Sequence, residues 1–451
     1  MKLHLVSLGC ARNQVDSEIM LSRLQQAGID ICAAPEAAEV IVVNTCSFIE
    51  PAVNESIDTI LELARFKEQG NCRRLIVAGC LPERYREEIA ASMPEVDLFL
   101  GTGAFHLIVD AVEGTLDGPG CLLPDPNRQL LQIQDLPRRS TLPHTAYLKI
   151  AEGCSRQCTY CIIPTLRGRQ RSRTPADICA EAEALLGGGV QELVLVAQDT
   201  TAYGRDLSPA ADLAALLRSL TQIPTAAGRC AEAAGDDPAR WIRLLYGHPE
   251  SIRRAVLKTV AAHADICPYF DIPIQHASPS VLRNMGRRYA ADDLCRLFDD
   301  IRSSVPDAAL RTTVIVGFPG ESDRDFDRLL ELVETVRFDH LGVFVYSDAA
   351  DLPSHRLPGH VPAAVAARRH DRLMRRQKEI AAQTNRRHLD RVYQVLVEEK
   401  PEERLFVGRT AFQAPEVDGL TYVQADDLRL GCFARVRISD VLDYDLVGTV
   451  V

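Results

Sequence analysis

Three cysteines lie within eight residues of one another. They are Cys154, Cys158 and Cys161 in the segment AEGCSRQCTYCIIPT, residues 151–165, and we call them the loop triad. Thiolates are soft ligands that suit zinc or an iron–sulfur cluster. A structural zinc site needs a fourth ligand, and the next residues, IIPTLRG, contain no Cys or His. Three thiolates on a four-iron–four-sulfur cluster leave one iron open, so the spacing predicts a cluster with a free position for a cofactor or substrate.

A second set of cysteines is spread over the first 80 residues. Cys10, Cys46 and Cys80, which we call the strand-end triad, each follow an apolar run, in SLGC, VNTC and VAGC. The three runs resemble buried parallel strands, and a helical pattern follows each of them. Ligands of such sheets gather beyond the carboxyl ends of the strands. We therefore expect the three thiols to converge at one edge, although a cysteine at a strand end is often only a packing residue.

The alternation of strands and helices predicts the domains that position both triads. Residues 1–116 are predicted to form a doubly wound parallel α/β sheet, followed by a proline-rich linker at 117–139. Six strand–helix units in residues 140–382 predict a partial or full parallel barrel, with a surface insertion at 224–240. The arginine-rich stretch 363–391 is predicted to be a solvated connecting helix, with an RNA-facing surface as the alternative. Five short strands in residues 383–451 predict a small antiparallel OB-like barrel.

The composition restricts the classes of function. The net charge of −11 argues against a protein that coats nucleic acid. The sequence starts with no signal-peptide pattern and has no apolar run long enough for a bilayer. We therefore expect a cytoplasmic protein without a membrane partner, whose 14 cysteines remain reduced.

The motifs around both triads resemble a known family. The loop triad after the first barrel strand is similar to that of the radical S-adenosylmethionine superfamily. SLGCARNQVDSE, VVNTCSFIEPAVNES, VAGC and GCSRQCTYCIIPTLRGRQRSR resemble its methylthiotransferase family over nearly the whole chain, and the terminal barrel resembles the TRAM domain of that family. DIPIQHASPSVLRNM and GRTAFQAPEVDGLTYV resemble the branch that modifies an aspartate of the twelfth small-subunit ribosomal protein.

The resemblance implies a cofactor set and a reaction. It implies one four-iron–four-sulfur cluster on each triad and S-adenosylmethionine as both methyl donor and radical source. The implied product is an aspartate with a methylthio group on its β-carbon, in a small-subunit ribosomal protein that is free or assembled in the subunit. An electron donor and a sulfur source are implied as partners. A β C–H bond is not acidic enough for a side-chain base, which is consistent with cofactor chemistry.

Residues near the predicted strand ends are candidates for the cofactor pocket. Barrel strand ends collect catalytic residues, and structural hydrogen bonding is the alternative for each polar side chain. The candidates are Tyr160, Gln198, Asp199, Gln275, His276, Gly317 and Glu321. A substrate or anion contact is predicted for arginines of LRGRQRSR, with a solvated charged face as the alternative: Arg167, Arg169 and Arg171.

Other functions remain open from the residues alone. The tRNA-modifying branch of the family shares the cysteine pattern, so the cysteines cannot separate an aspartate substrate from a tRNA adenosine. The acidic terminal barrel, with a net charge of −5 over residues 390–451 (12 Asp/Glu against 7 Lys/Arg), favours a basic protein over RNA. A non-catalytic iron–sulfur sensor or a zinc-stabilised binding protein is a further hypothesis, but neither needs a six-unit barrel behind the loop triad.

Overall fold

The computed structural model describes residues 1–116, 120–128, 138–224 and 240–451. The predicted insertion at 224–240 lies outside the described residues except for its two end residues. The three units follow one another along the chain as a parallel sheet, a partial barrel and a small closed barrel.

The first unit is a six-stranded parallel sheet, as predicted. Its central strands are apolar and buried because helices cover both faces. The order β2-β1-β3-β4-β5-β6 makes β1, β3 and β4 direct neighbours. The strands are β1 Lys2–Ser7, β2 Asp30–Ile31, β3 Val40–Thr45, β4 Arg74–Gly79, β5 Leu98–Leu100 and β6 Cys121–Leu122. The helices are Ala11–Gln26, Glu50–Ala64, Phe66–Gln69, Cys80–Tyr85, Glu87–Ser92 and Ile108–Glu113.

The predicted linker at 117–139 contains regular structure in the part that the structure describes. Cys121–Leu122 pairs with β5 as the sixth strand, and the buried Arg138 forms ion pairs with Glu18 and Glu181. A two-residue strand is too short to produce a hydrophobic pattern, so composition alone could not indicate it.

The second unit contains the six predicted parallel barrel strands. They form two three-stranded sheets, β11-β10-β7 and β12-β13-β14. Between the two sheets, an isolated parallel bridge pairs Ile242 with Ile266. The strands of this unit, including a short antiparallel pair β8 and β9, are β7 Thr145–Lys149, β8 Ala151–Glu152, β9 Arg171–Ser172, β10 Glu192–Val196, β11 Trp241–Leu244, β12 Tyr269–Asp271, β13 Ala309–Val316 and β14 His340–Val345. Its helices are Ile163–Arg167, Pro175–Gly187, Leu213–Thr221, Arg254–Ala262, Pro279–Asn284, Ala291–Ser304, Asp323–Val336 and Ala363–Asn385.

The side chains of the barrel strands alternate between two environments. One set, which includes Leu148 and Leu195, packs against the surrounding helices in the largest apolar core. The other set faces the interior of the barrel and includes Tyr147 and Lys149 on β7. The helix Ala11–Gln26 of the first unit packs on β7, so the first unit lies beside this edge of the barrel.

The third unit is a closed five-stranded barrel, also as predicted. The order β15-β16-β17-β19-β18 is antiparallel except for the pair β17 and β19. Its loop 411–418 packs against the amino ends of the barrel strands, where Asp418 accepts a hydrogen bond from the Tyr269 hydroxyl at 2.5 Å. The strands are β15 Val392–Glu402, β16 Leu405–Thr410, β17 Thr421–Gln424, β18 Phe433–Val441 and β19 Leu446–Val450.

The helix Ala363–Asn385 connects the second and third units and spans the predicted boundary at 382–383. Several of its cations are paired with carboxylates, including Arg369 with Asp323 at 2.8 Å and Arg376 with Glu334 at 2.7 Å. Among the described residues, no helix has both the length and the apolar character needed to cross a membrane.

Candidate active site

The strand-end triad lies at one edge of the first sheet. Because β1, β3 and β4 are neighbours, their carboxyl ends place Cys10, Cys46 and Cys80 in adjacent loops. The pKa of Cys80 is raised to about 12, chiefly by burial. Arg167 opposes this shift, and the nearby thiols of Cys46 and Cys10 add to it. The convergence predicted from the spacing is therefore present.

Close backbone contacts fix the loops of this triad. Gly9 has a φ of +94°, and a Cβ on it would lie 2.6 Å from Cys46 Cβ, so only glycine allows this approach. The Asn13 amide donates to the carbonyl oxygens of Leu8 and Thr45, both at 2.9 Å. One side chain thus ties the loop after β1 to the loop after β3.

The loop triad is held by backbone contacts of a different kind. The amide of Cys154 donates to the Gly168 carbonyl at 3.0 Å, and the amide of Cys161 donates to that of Cys158 at 3.1 Å. The amide of Thr159, between the last two cysteines, donates to the Met285 carbonyl at 3.2 Å. Burial raises the pKa of Cys154, and it raises the pKa of Cys161 to about 12.

The segment that follows the loop triad contacts the strand-end triad. Arg167 follows the loop triad in the helix Ile163–Arg167 and is buried, and its Nη2 lies 3.5 Å from Cys80 Sγ of the other triad. Ile162 and Leu166, from the same segment, pack against Cys80 in a small apolar cluster. A side chain that follows one triad in sequence therefore contacts the other triad in space.

A buried ion-pair network joins the two units beneath this contact. Arg167 pairs with Asp16 at 2.6 Å and with Glu152 at 3.3 Å, and Lys149 pairs with both carboxylates. Burial raises the pKa of Glu152, but Lys149 and Arg167 outweigh that effect and hold it far below the usual range. Glu152 is therefore ionised, and Gln198 Nε2 donates to it at 2.8 Å.

Arg12 lies at the boundary between the strand-end triad and the barrel. Its Nη1 donates to the Ala197 carbonyl at 2.9 Å, and its guanidinium carbon lies 4.5 Å from the centre of the Tyr246 ring. Burial raises the pKa of Cys10, but Arg12 and Arg167 outweigh it, so the pKa of Cys10 is lowered. Cys10 is thus more easily ionised than its two partners.

The predicted pocket residues after β10 and β12 have defined local partners. Gln198 binds Glu152, and its Oε1 is buried without a protein partner among the described residues. Asp199 accepts hydrogen bonds from Arg156 at 2.8 Å and from Thr201 at 2.6 Å. Gln275 has a φ of +67° and forms a bridge with Val314.

His276 is fully buried, and burial lowers its pKa to about 3. Its Nδ1 accepts a hydrogen bond from the Ser278 amide at 2.9 Å. The ring is therefore neutral, and its Nε2 is buried without a hydrogen-bond partner among the described residues. The cofactor contact of His276 stays a prediction.

The remaining predicted pocket residues lie after β13 and within the loop triad. Glu321 accepts hydrogen bonds from the amides of Gly317 and Phe318, and burial raises its pKa to about 7. Tyr160 accepts a hydrogen bond from Arg287 Nη2 at 2.6 Å and meets the Phe318 ring edge-on at 6.4 Å. Tyr160 and the Gly317–Glu321 loop thus lie on the same side of the loop triad.

The structure separates the predicted arginines of LRGRQRSR. Arg167 and Arg173 are buried in ion pairs, with Asp16 and Asp177 respectively. Arg169 is exposed, and its backbone amide donates to Asn127. Arg171 is half-buried, and burial lowers its pKa. Arg167 ends the helix Ile163–Arg167 and Arg171 lies in β9, so the arginines occupy different environments. Their contact with a substrate or anion stays a prediction.

The donor sets suit iron–sulfur clusters. Each triad offers three thiols and, within the residues that the structure describes, no group of three His, Cys, Asp or Glu side chains has the spacing to hold a single metal ion. Cysteine thiolates are the ligands that hold iron–sulfur clusters. Either triad could hold such a cluster with one iron open.

Several residues of the site were not predicted from the sequence. They include Arg12, Asn13 and Asp16 of the segment SLGCARNQVDSE, and Lys149 and Glu152 just before the loop triad. Two sequence features could have indicated them. One is the run of polar residues in the first turns of an otherwise amphipathic helix, and the other is the lysine at the end of a buried strand.

Three family models match the chain in order. The uncharacterized protein family UPF0004 matches residues 2–101, which include the strand-end triad. The radical SAM superfamily matches residues 148–333, which include the loop triad, and the TRAM domain matches residues 391–451.

Curated relatives match along the whole chain. The ribosomal protein uS12 methylthiotransferase RimO of Desulfosudis oleivorans is 53% identical, covering 99% of this chain and 99% of that protein. Those of Clostridioides difficile and Geobacter sulfurreducens are each 44% identical, covering 100% of this chain and 99% and 98% of theirs.

Solved structures share the fold at low identity. The radical S-adenosylmethionine methyltransferase TsrM from Kitasatospora setae, with cobalamin and a [4Fe-4S] cluster bound, matches with a TM-score of 0.59 and 15% identity, covering 78% of this chain and 76% of that chain. The radical enzyme OxsB, with aqua-cobalamin and S-adenosylmethionine bound, matches with a TM-score of 0.51 and 12% identity, covering 85% and 56%.

Proposed function

The chain belongs to the family of ribosomal protein uS12 methylthiotransferases, which are radical S-adenosylmethionine enzymes, and we propose that its two cysteine triads form one active centre for that reaction. In this proposal the enzyme attaches a methylthio group to the β-carbon of an aspartate in the small-subunit ribosomal protein.

The contact between Arg167 and Cys80 at 3.5 Å carries this proposal. A methylthio transfer needs sulfur chemistry and radical chemistry at the same substrate atom. Ile162 and Leu166, from the segment that follows the loop triad, pack against Cys80 of the strand-end triad, which supports a single centre. Two centres in separate places could not act on one carbon.

The residues present divide into two ligand sets. Cys154, Cys158 and Cys161 would hold the cluster at which S-adenosylmethionine binds, and the strand-end triad would hold a second cluster. When bound, the two clusters and S-adenosylmethionine supply reductive cleavage of a sulfonium, a methyl group and a site that carries sulfur.

The protein's own residues position and shield this chemistry. The carbonyls of Gly168 and Met285 accept hydrogen bonds from the amides of Cys154 and Thr159 and thereby hold the loop triad in one conformation. Tyr160, fixed by Arg287, covers the side toward Phe318, which excludes water from a reactive centre. The unpartnered Oε1 of Gln198, beside the ionised Glu152, is an acceptor available to a bound cofactor. The cofactor role of Gln198, Tyr160 and the Gly317–Glu321 loop remains part of this proposal.

A ribosomal protein is favoured over tRNA as the substrate. Curated relatives that match over the full length carry the ribosomal protein name, and the third unit is acidic, with a net charge of −5 over residues 390–451 (12 Asp/Glu against 7 Lys/Arg). RNA binding depends on Lys and Arg that neutralise phosphates. In the connecting helix, cations such as Arg369 and Arg376 are already paired with carboxylates.

Further partners follow from the reaction. The proposal requires an electron donor for the cleavage step and a sulfur source for the strand-end cluster. Since the substrate belongs to the small ribosomal subunit, free or assembled, the cytoplasm is the proposed location.

Mass spectrometry on a strain that lacks the protein tests the function. The intact ribosomal proteins and the digested tRNA nucleosides are examined from the same cells, with the wild-type gene and a Cys10→Ala gene supplied in trans. We expect loss of the methylthio group from one aspartate of uS12, its return only with the wild-type gene, and unchanged tRNA. Loss from a tRNA adenosine, or no change in either, would contradict the proposal.

A further inference from the structure

We propose that Arg12 binds the carboxylate of the target aspartate and thereby selects an aspartate over neutral residues. This inference rests on the proposed function, because it names the group that recognises the substrate of that site. It concerns a side chain outside both triads.

Arg12 has unused hydrogen-bond donors. A guanidinium carries five N–H donors, and the hydrogen bond described above, from Nη1 to the Ala197 carbonyl at 2.9 Å, uses one of them. The Arg12 side chain also interacts with the Cys10 sulfur as a hydrogen-bond donor and as a counter-charge. Three of the five donors then remain. Arg12 is half-buried rather than enclosed, so its remaining donors are accessible to a ligand.

No carboxylate neutralises Arg12 in the part of the chain that the structure describes. Salt bridges within 4.0 Å are found for other arginines around the site, including Arg156 with Asp199 at 2.8 Å and Arg311 with Asp271 at 2.9 Å, whereas none involves Arg12. A half-buried cation without a carboxylate partner favours an anionic ligand.

The position of Arg12 is fixed by a strained neighbour. Its guanidinium lies over the Tyr246 ring at 4.5 Å, and Tyr246 has a φ of +59°, a conformation that side-chain-bearing residues rarely adopt. Asp271 holds this conformation by accepting from the Tyr246 amide at 2.9 Å. Strain of this kind is retained where the surroundings impose it, often at ligand sites.

The location suits a substrate side chain. Arg12 follows Cys10 by two residues and touches Ala197 at the end of β10, so it lies between the strand-end triad and the barrel interior. An aspartate carboxylate is one bond from the β-carbon that reacts. A guanidinium that binds this carboxylate through two parallel hydrogen bonds would therefore hold the reacting carbon beside Cys10.

One other carboxylate could occupy the same donors. S-adenosylmethionine also carries a carboxylate, so the test has to separate the substrate from the cofactor. We assign the site to the substrate because Arg12 adjoins Cys10 of the strand-end triad, whereas the proposed cofactor site is at the loop triad.

The test measures binding and product with matched variants. Cluster-loaded wild type, Arg12→Gln, Arg12→Lys and the control Arg23→Gln are compared. Arg23 lies in the last turn of the same helix, about 16 Å along its axis. Recombinant uS12, and uS12 with its target aspartate changed to asparagine, are titrated against each variant, and S-adenosylmethionine affinity and iron content are measured in parallel.

We expect Arg12→Gln to weaken binding of uS12 by about tenfold to a hundredfold, because hydrogen bonds to a charged group are lost. The same variant should bind the asparagine form as wild type does, and it should keep its iron and its S-adenosylmethionine affinity. Arg12→Lys should lose less affinity, and Arg23→Gln should match wild type.

Three results would overturn the inference. They are equal binding of uS12 to wild type and Arg12→Gln, equal losses for the aspartate and asparagine forms, and a loss confined to S-adenosylmethionine. If Arg12→Gln fails to fold, wild type still tests the inference, because it must bind the aspartate form more tightly than the asparagine form. Failure of the proposed function is distinct, since wild type would then add no methylthio group to uS12.

Discussion

The loop triad and the strand-end triad offer the same three thiols but depend on the fold to different degrees. The loop triad is complete within eight residues, although the carbonyl of the distant Met285 holds it together with that of the nearby Gly168. The strand-end triad exists only when β1, β3 and β4 are correctly paired, since its members are 36 and 34 residues apart. Mutations elsewhere in the fold should leave a local motif intact. The strand-end triad, by contrast, depends on the correct packing of its whole domain.

The electrostatic surroundings of the two triads also differ. Arg12 and Arg167 lower the pKa of Cys10 in the strand-end triad, whereas burial dominates at Cys154 and Cys161 and raises their pKa. Hydrogen bonds and charge near the sulfurs set the reduction potential of an iron–sulfur cluster. The two centres are therefore expected to differ chemically despite identical ligands.

Replacing one cysteine in each triad gives the largest expected effect. Cys158→Ala should reduce 5′-deoxyadenosine formation by about two orders of magnitude or more, because the cofactor chemistry of that centre is lost. Cys46→Ala should retain this cleavage while the methylthio product disappears. Chromatography of 5′-deoxyadenosine together with mass spectrometry of uS12 measures both outputs. Parallel loss of both outputs in Cys46→Ala would show that the triads do not have separate roles.

Gly9→Ala tests how strongly the strand-end triad depends on backbone packing. A new Cβ would lie 2.6 Å from Cys46 Cβ at a φ of +94°, so we expect loss of the iron held by this triad and destabilisation of about 1–3 kcal/mol or more. Gly28→Ala is the matched control, because Gly28 has a φ of +80° but nothing within 4 Å of the added atom. Iron content and urea unfolding measure both effects, and equal iron loss in the two variants would contradict the packing argument.

Arg167→Gln tests the contact between the two triads. The change leaves Asp16 and Glu152 with only Lys149 among the cations described here. Removing one partner from a buried ion pair costs about 3–5 kcal/mol, whereas the exposed Arg169→Gln should change the free energy of unfolding by less than about 0.5 kcal/mol. Denaturant unfolding compares the stability of the two variants. Similar unfolding midpoints for both would show that Arg167 does not stabilise this boundary.

The smallest expected effect is a pH dependence of stability that distinguishes two buried carboxyl groups. Lys149 and Arg167 keep Glu152 ionised, while burial raises the pKa of Glu321 from 4.5 to about 7. The folded state then holds a proton at Glu321 that the unfolded state has released, so stability falls as pH rises from about 4.5 to about 7. Glu321→Gln should reduce this fall by about 1–3 kcal/mol. Unfolding curves between pH 5 and pH 8 measure the difference, and identical slopes for both proteins would refute it.

The fold was largely predictable because its strands are long and apolar. The three central strands of the first sheet, the six barrel strands and the five strands of the terminal barrel are all present. Two-residue strands, such as Asp30–Ile31 and Cys121–Leu122, escaped prediction because they have no periodicity to detect. Arg138 was also missed, since nothing in a proline-rich segment indicates a buried cation.

The site was predictable where residue type determined the chemistry. Cysteine spacing identified both triads, because few residues bind soft metals. The partners of Arg12 and Arg167 include residues more than 100 positions away, such as Ala197 and Asp16, and no local pattern contains such a contact. The substrate or anion contact expected of Arg167, Arg169 and Arg171 stays a prediction.

Iron analysis with Mössbauer spectroscopy tests the central claim most directly. Wild type is compared with a variant in which Cys10, Cys46 and Cys80 are alanine and one in which Cys154, Cys158 and Cys161 are alanine. If each triad holds its own four-iron–four-sulfur cluster, wild type should contain about eight iron atoms and each variant about four. The account would be contradicted if wild type contained only about four iron atoms. In that case one variant would lose all of its iron and the other would lose none.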